Sequence, residues 1–164
     1  MLVAQEPVRR KLRAEHNEVL GNDLTGASAT LIESPCLLNF LLYTSSVIKE
    51  PLRLHRAPMP LRDGQSHQEV VDRETTGDRY TTDGFILWDE LRSQSRSEAF
   101  QARANEFVPE RWATKDEGDP LHPKKHSWRI FGLGNRNCTG PELAMIEMKL
   151  MLVFLARETE IDWV

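Results

Sequence analysis

The residue of this chain best suited to chemistry is Cys138, which lies in a glycine-rich segment just ahead of an apolar stretch. The segment, residues 131–140, reads Phe-Gly-Leu-Gly-Asn-Arg-Asn-Cys-Thr-Gly. A cysteine at the start of a helix faces unpaired N–H groups and the positive end of the helix dipole, and both favour the thiolate. A thiolate can bind a metal or act as a nucleophile, and glycines let the backbone turn tightly beside it. The segment therefore predicts a reactive or metal-bound sulfur.

Other interpretations of this segment fit less well. A free cysteine taken alone is more often a small core residue than a ligand. A dinucleotide-binding loop would need a third glycine where Asn137 stands. The sequence has no C-x-x-C pair that would indicate a structural zinc site. A cysteine hydrolase would need His122 or His126 as a base held by a third group, and the spacing indicates no such group.

A second pattern is the pair Glu50 and Arg53, which an i, i+3 spacing would place on one face of a helix. Most pairs of this kind are exposed and worth at most about 1 kcal/mol. This pair stands in an apolar stretch, however, so it is a candidate for burial. Pro51 lies between the two charges and removes one helical hydrogen bond, which we expect to weaken the geometry of the pair.

The elements that would position these residues are predicted from the hydrophobic pattern. Helices are expected where apolar residues recur at helical spacing, strands where short apolar runs alternate with turn residues, and irregular chain where prolines cluster. The Asp83-Gly84 pair indicates a hairpin turn, and the last helix is apolar enough to be mostly buried. The predicted elements are a helix over 7–21, a helix over 38–55, a small antiparallel sheet over 60–88, a meander over 105–127, the loop 131–140 and a helix over 141–157.

Composition narrows the class of protein. The 164 residues suit one domain, and 40% hydrophobic content is typical of a globular chain. A net charge of −4, from 21 basic and 25 acidic residues, argues against nucleic-acid binding. Two distant cysteines, Cys36 and Cys138, offer no disulfide framework. No apolar run is long enough for a membrane segment, and the first residues do not read as a signal peptide.

The segment 131–140 matches F-x-x-G-x-R-x-C-x-G at every fixed position, and this resembles the haem-ligand signature of the cytochrome P-450 family. Glu50-x-x-Arg53 and the later Pro-Glu-Arg-Trp at 109–112 resemble two further family motifs in the same order. The resemblance runs almost end to end. It implies the C-terminal part of the cytochrome P-450 fold, mainly α with a small antiparallel sheet, with 7–21, 38–55 and 141–157 as its J-like, K-like and L-like helices.

The resemblance also assigns the site residues. Cys138 would be the thiolate ligand of haem iron and the catalytic residue. The cofactor, haem b (heme b, iron protoporphyrin IX), would be held by residues of the loop and by a propionate-binding arginine. Glu50, Arg53 and Arg111 would form a buried structural triad, in which two guanidinium groups satisfy one carboxylate. The implied cofactor-binding residues are Phe131, Gly132, Gly134, Arg136, Cys138, Gly140 and Arg62.

The function implied by the resemblance is that of a monooxygenase, which inserts one oxygen atom from O2 into a small organic substrate with electrons from an NADPH-cytochrome reductase. Phrases at 13–16, 119–121 and 128–131 are most similar to fungal members of secondary metabolism. Those members are anchored in the endoplasmic reticulum; this chain carries no such anchor, which favours the cytoplasm. The distal oxygen-activating helix is also missing, so a truncated remnant that binds haem weakly, or serves only as a partner surface, is the alternative.

Overall fold

The computed structural model describes residues 6–23, 26–55, 61–73, 75–88, 91–125 and 127–159. Five α-helices and four short strands lie among them, which confirms the mainly α class with a little antiparallel β structure. Short 3₁₀ turns cover Pro35–Phe40, Pro109–Trp112 and Gly134–Arg136. The helices are α1 (Glu6–Leu20), α2 (Ala27–Glu33), α3 (Leu42–Leu54), α4 (Leu91–Ser95) and α5 (Pro141–Glu158).

Helix α1 ends where the sequence changes conformation. Gly21 has φ +80°, in the left-handed region that favours glycine, and its N–H donates to the carbonyl of Asn17 at 3.0 Å. The helix therefore spans 6–20, within one residue at each end of the range 7–21. Its buried residues, Val8, Leu12, His16 and Leu20, recur every four positions and form one stripe.

The expected helix over 38–55 is shorter and is preceded by a separate element. Helix α3 begins at Leu42, because Leu41 leaves the helical region with ψ 74° while its side chain is fully buried. The residues before it form a 3₁₀ turn that starts at Pro35. Pro51 lies inside α3, and the helix nevertheless continues to Leu54.

The small sheet expected over 60–88 is two separate two-stranded ladders. Strand β1 (Arg62–Asp63) pairs with β4 (Ile86–Leu87), and β2 (Glu69–Val71) pairs with β3 (Arg79–Thr81), both antiparallel. Asp83-Gly84 forms a turn, as Gly84 has φ +76°, but the strands on its two sides, β3 and β4, are not paired with each other. Pro60 lies outside the described residues.

Gly64 lies where the β1–β4 ladder meets the β2–β3 ladder. A Cβ added at Gly64 would lie 1.6 Å from the carbonyl oxygen of Thr82. The Thr82 hydroxyl oxygen lies 3.0 Å from the carbonyl oxygens of both Gln65 and Gln68, which share its one proton. The two ladders are therefore joined through close backbone contact that only glycine permits.

The core of the described residues consists of two small apolar clusters, one between α1, α2, the 3₁₀ turn at Pro35–Phe40 and α5, and one between α1, α3 and α5. One cluster is Leu20, Leu31, Leu38, Leu41 and Val153, and the other is Val8, Leu12, Val47 and Ala156. Helix α5 contributes to both, but the expectation that it is mostly buried is wrong. Leu143 and Met151 are 61% and 62% exposed, because the packed elements cover only one of its sides. In the described part of the chain, no helix is both long and apolar enough to cross a bilayer.

Candidate functional site

The cysteine loop, residues 131–140, is a tight turn closed by backbone hydrogen bonds. The N–H of Cys138 donates to the carbonyl of Phe131 at 2.7 Å, and the N–H of Asn137 donates to Gly134 at 3.1 Å. Gly132 and Gly134 have φ of +82° and +75°, which side-chain-bearing residues rarely adopt. The chain can thus reverse twice within a few residues and present Cys138 three positions ahead of the first residue of α5.

The sulfur of Cys138 faces outward at the end of this loop. Cys138 is exposed and free, and its Sγ accepts a hydrogen bond from the N–H of Gly140 at 3.4 Å. A Cβ added at Gly134 or Gly140 would meet no atom within 4 Å, so the backbone has open space beside it. Leu133 adds a 52% exposed apolar side chain to the same loop. A flat, partly apolar ligand could therefore approach the sulfur without a clash.

The donor set indicates what kind of metal centre could form at this sulfur. The described residues contain no group of three or more His, Cys, Asp or Glu side chains that could enclose a bare ion. A single sulfur suits a metal whose other ligands come from its own cofactor, as in a porphyrin. His122 and His126 have the spacing of a metal pair, but His126 lies outside the described residues. The exposed thiol of Cys138 is therefore the kind of single donor that a porphyrin-bound metal would use.

The remaining residues expected at the cofactor are placed as follows. Arg136 lies in the 3₁₀ turn of the loop, and its side chain lies outside what the structure describes. Arg62 lies on the exposed strand β1, opposite Leu87. The described hydrogen bonds and ion pairs do not join Arg62 to the loop. The loop itself brings together the expected residues between Phe131 and Gly140, and the role of Arg62 stays a prediction.

A buried carboxylate lies at the centre of the second group of residues. Glu50 is fully buried and accepts five hydrogen bonds. Arg53 donates two of them, from Nε at 3.0 Å and Nη2 at 2.8 Å, in a bidentate contact. Arg111 donates through Nε at 3.0 Å, and the backbone N–H of Val108 and Nε1 of Trp112 complete the set at 3.0 and 2.8 Å.

Pro51 does not disturb this arrangement, so the expectation that it weakens the geometry of the pair is wrong. Glu50 and Arg53 are both fully buried and remain in bidentate contact across it. Proline removes only its own N–H, whereas the side chains one and two positions away keep their helical directions. The hydrogen bond from the N–H of His55 to the carbonyl of Pro51, 2.7 Å long, then continues the turn.

The two arginines also hold a long irregular stretch of backbone. Arg53 donates to the carbonyls of Ser95, Ala104 and Glu106 at 2.6, 2.5 and 2.9 Å. Arg111 donates to the carbonyls of Ala102 and Arg103 at 3.0 and 3.1 Å. Every one of these acceptors lies between residues 95 and 106. The guanidinium groups therefore tie this segment to α3.

The charge state of Glu50 follows from its partners. Burial acts to raise the pKa of Glu50, because a buried carboxylate loses its hydration. Hydrogen bonds from Arg53 and Val108, with the charges of the two guanidinium groups, outweigh burial and hold that pKa below its usual value. Glu50 is thus ionised at neutral pH, and the cluster is a carboxylate between two cations.

Three aromatic side chains connect this cluster to the cysteine loop, and of these only Phe131 was expected at the site from the sequence. The rings of Trp112 and Trp128 meet edge to face at 6.1 Å between centroids, and those of Trp128 and Phe131 at 5.8 Å. The ammonium group of Lys49 lies 5.8 and 5.5 Å from the centroids of the two tryptophan rings. Trp112 ends the motif at 109–112 and Trp128 begins the stretch 128–131, but the rings that they contact depend on tertiary folding.

A second buried polar network lies between α1 and α3 and was also missed. His16 is fully buried, and its Nε2 lies 2.8 Å from the hydroxyl of Thr44. That hydroxyl donates to Glu15 at 2.7 Å, and the backbone N–H of Thr44 donates to the same carboxylate oxygen at 2.8 Å. Burial lowers the pKa of His16 to about 4, so the imidazole is neutral at pH 7.

Comparison with known proteins points to one family. A family model described as cytochrome P-450 matches residues 1–161. Cytochrome P-450 monooxygenase polC of Polytolypa hystricis is 38% identical over 93% of this chain and 27% of its own length. Cytochrome P-450 monooxygenase acrF of Aspergillus aculeatus is 30% identical over 95% of this chain and 34% of its own length. Cytochrome P-450 monooxygenase PC-23 of Penicillium crustosum is 32% identical over 96% and 76%, respectively.

The chain spans about a quarter to a third of the length of the first two relatives. The match itself covers nearly all of this chain, including the cysteine loop and the buried charge cluster. The resemblance found in the motifs is therefore confirmed at the level of the family: the chain belongs to the cytochrome P-450 family.

Proposed function

We propose that this chain forms the thiolate side of the haem site in a monooxygenase, with Cys138 as the axial ligand of haem b. The observation that carries the proposal is the exposed Sγ of Cys138 at the end of a closed loop with open space beside it. The relatives polC, acrF and PC-23 are each described as cytochrome P-450 monooxygenases, which supports the reaction class. By position, α1, α3 and α5 would correspond to the family's J, K and L helices.

Each part of the loop has a definite task in this proposal. Cys138 supplies the ligand sulfur, and the N–H of Gly140 donates to that sulfur at 3.4 Å, which moderates its negative charge. Gly132 and Gly134 make the turn that brings the sulfur forward. Arg136 would pair with a haem propionate through charge-assisted hydrogen bonds. Bound haem supplies the one-electron and O2 chemistry, in which a thiolate ligand favours cleavage of the O–O bond.

The buried charge cluster supports the site without touching it. Glu50, Arg53 and Arg111 fix the segment 95–112 against α3. That segment ends at Trp112, whose ring contacts Trp128 in the residues that lead into the cysteine loop. Buried, charge-assisted hydrogen bonds would then help to hold the sulfur of Cys138 in a fixed position.

The electron source and the class of substrate are part of the same proposal. Electrons would come from NADPH through a cytochrome reductase, and the substrate would be a small organic molecule of fungal secondary metabolism. Support comes from the fungal relatives polC and acrF, which match most of this chain. Arg62, on strand β1, would serve as a further propionate partner.

The test is spectroscopic. Purified chain is supplied with iron protoporphyrin IX, reduced and treated with carbon monoxide. A thiolate-ligated haem shifts the Soret band far to the red, and we expect this band in the wild type. Cys138→Ser should abolish it. Cys36→Ser is the matched control, since Cys36 is the other exposed free cysteine, and it should retain the band.

Two outcomes would count against the proposal. If Cys138→Ser and the wild type give the same spectrum, Cys138 is not the ligand. If the wild type takes up no porphyrin, the chain does not bind haem by itself, and a non-catalytic remnant or a partner surface becomes the better interpretation.

A further inference from the structure

An aromatic chain formed by Trp112, Trp128 and Phe131 runs from the buried carboxylate to the cysteine loop. Its two ring contacts have centroid distances of 6.1 and 5.8 Å and interplanar angles of 66° and 74°. These values lie in the edge-to-face range that aromatic pairs prefer, because the positive edge of one ring faces the negative face of the next. The three rings are thus held in relation to one another by directional contacts.

Both ends of the aromatic chain are fixed by short hydrogen bonds. At one end, Nε1 of Trp112 donates to Glu50 at 2.8 Å. At the other end, the carbonyl of Phe131 accepts from the N–H of Cys138 at 2.7 Å. The buried anion and the ligand cysteine are therefore linked by a continuous series of contacts through three aromatic residues.

Helix α3 also fixes the middle of the aromatic chain. Nε1 of Trp128 donates to the backbone carbonyl of Lys49 at 3.4 Å. The ammonium group of the same lysine lies within 5.8 Å of both tryptophan centroids, a distance at which a cation is attracted to the ring face. Two successive residues of α3, Lys49 and Glu50, thus orient both indoles.

The cysteine loop follows two residues that are themselves attached to the fold, since Trp128 donates to the carbonyl of Lys49 and Arg129 donates to Oε1 of Gln94 at 2.7 Å. The described side chains of the loop are half-buried or exposed, and the backbone hydrogen bonds described for its first half join residues within 129–138. Its C-terminal half continues directly into α5. The contact between Phe131 and Trp128 joins the ring of the loop's first residue to this attached segment.

We propose that Trp112 and Trp128 are positioning residues, which hold the Cys138 loop in a fixed place relative to α3 by contacts that end on Phe131. The importance of that placement rests on the proposed haem-thiolate function, because a ligand sulfur must lie at a defined distance from its metal. The positioning itself does not require the cofactor and can be measured without it.

The first experiment measures the mobility of the loop in the protein without haem. A nitroxide spin label is attached to Cys138 in a Cys36→Ser background. We expect Trp128→Ala to give a clearly more mobile spectrum than the wild type, and Trp128→Phe to restore most of the immobilisation because it keeps an aromatic ring in place. Trp88→Ala is the matched control, since Trp88 is 65% exposed and lies outside the aromatic chain; it should change nothing.

A second label position separates positioning from general loss of stability. The label is moved to Cys36 in a Cys138→Ser background, in the 3₁₀ turn at Pro35–Phe40. General destabilisation by Trp128→Ala would mobilise both labels, whereas the proposal predicts a change at Cys138 alone. Equal mobility of the Cys138 label in Trp128→Ala and wild type, or equal mobilisation at both positions, would overturn it.

The carbon monoxide spectrum then connects positioning to ligation. In reconstituted protein, we expect Trp128→Ala to lose at least half of the thiolate-type Soret band at equal haem content, with recovery in Trp128→Phe. If the labels respond as expected but the wild type binds no haem, the proposed function fails and the positioning role stands. If the wild type ligates haem through Cys138 and Trp128→Ala leaves labels and spectrum unchanged, the positioning role fails alone.

Discussion

The substitution Glu50→Gln keeps the shape of the buried side chain and removes its charge. One oxygen of Glu50 accepts from Arg53, Val108 and Arg111, and the other accepts from Arg53 and Trp112. Glutamine has one acceptor oxygen, so its NH2 group must face at least two of these donors. The substitution also leaves two buried guanidinium groups without their counter-charge.

The magnitude follows from the cost of an unpaired buried charge. Breaking a buried ion pair by removing one partner costs about 3–5 kcal/mol. A domain of ordinary stability has about 5–15 kcal/mol in total, so the variant should lose a large share of its stability. We expect a loss of about 3–5 kcal/mol in the free energy of unfolding, measured by urea denaturation followed by circular dichroism at pH 7.

Glu106→Gln provides the matched control, because it makes the same chemical change in an i, i+3 pair with Arg103 that is exposed on both sides. It should leave the unfolding midpoint nearly unchanged, since exposed pairs contribute little. The reasoning would be refuted if Glu50→Gln stayed within about 1 kcal/mol of the wild type, the size of an exposed pair.

The pH dependence of the same variant gives an independent check. The pKa of Glu50 lies below its usual value in the folded protein, so the folded state binds this proton less readily than the unfolded chain. Its stabilisation is therefore present above the unfolded pKa of about 4.3 and is lost as the pH falls toward the folded value. Glu50→Gln should remove that component and flatten the acid limb of the stability curve.

Three further predictions concern other parts of the fold. His16, whose pKa burial lowers to about 4, is neutral when folded, so stability should fall by up to about 3 kcal/mol between pH 6.5 and 4. His16→Gln should remove that slope and the exposed-site control His67→Gln should keep it, as judged from urea midpoints. Thr44→Val should cost about 1–3 kcal/mol in thermal or urea unfolding, because it leaves buried partners unpaired; no loss would mean that the network is not formed. Gly64→Ala should separate β1 from β4, since its Cβ would lie 1.6 Å from the Thr82 carbonyl; unchanged amide exchange in both strands would contradict this.

Much of the architecture could be predicted because its signals are local. The helix ending at Gly21 and the loop before Pro141 follow from glycine and proline chemistry alone. The pairing of Glu50 with Arg53 follows from helical spacing. These elements need no knowledge of what packs against them.

The errors arose where distant parts of the chain decide the outcome. Burial of Leu41 interrupts a continuous apolar run and shortens the expected helix, which no local pattern reveals. The pairing of β1 with β4 joins residues more than twenty positions apart, and the close approach at Gly64 selects it. The contacts of Trp112 and Trp128 likewise depend on where the meander lies on α3.

The described hydrogen bonds from Arg53 and Arg111 to segment 95–106 all end on carbonyl oxygens of the main chain. Every amino acid offers that oxygen, so replacing a side chain in this segment does not by itself remove a hydrogen bond to Arg53 or Arg111. Lysine could not substitute for either arginine, since one ammonium cannot span several diverging acceptors and a carboxylate. The sequence of this segment can therefore vary while its backbone path stays the same, whereas Arg53 and Arg111 must both be kept.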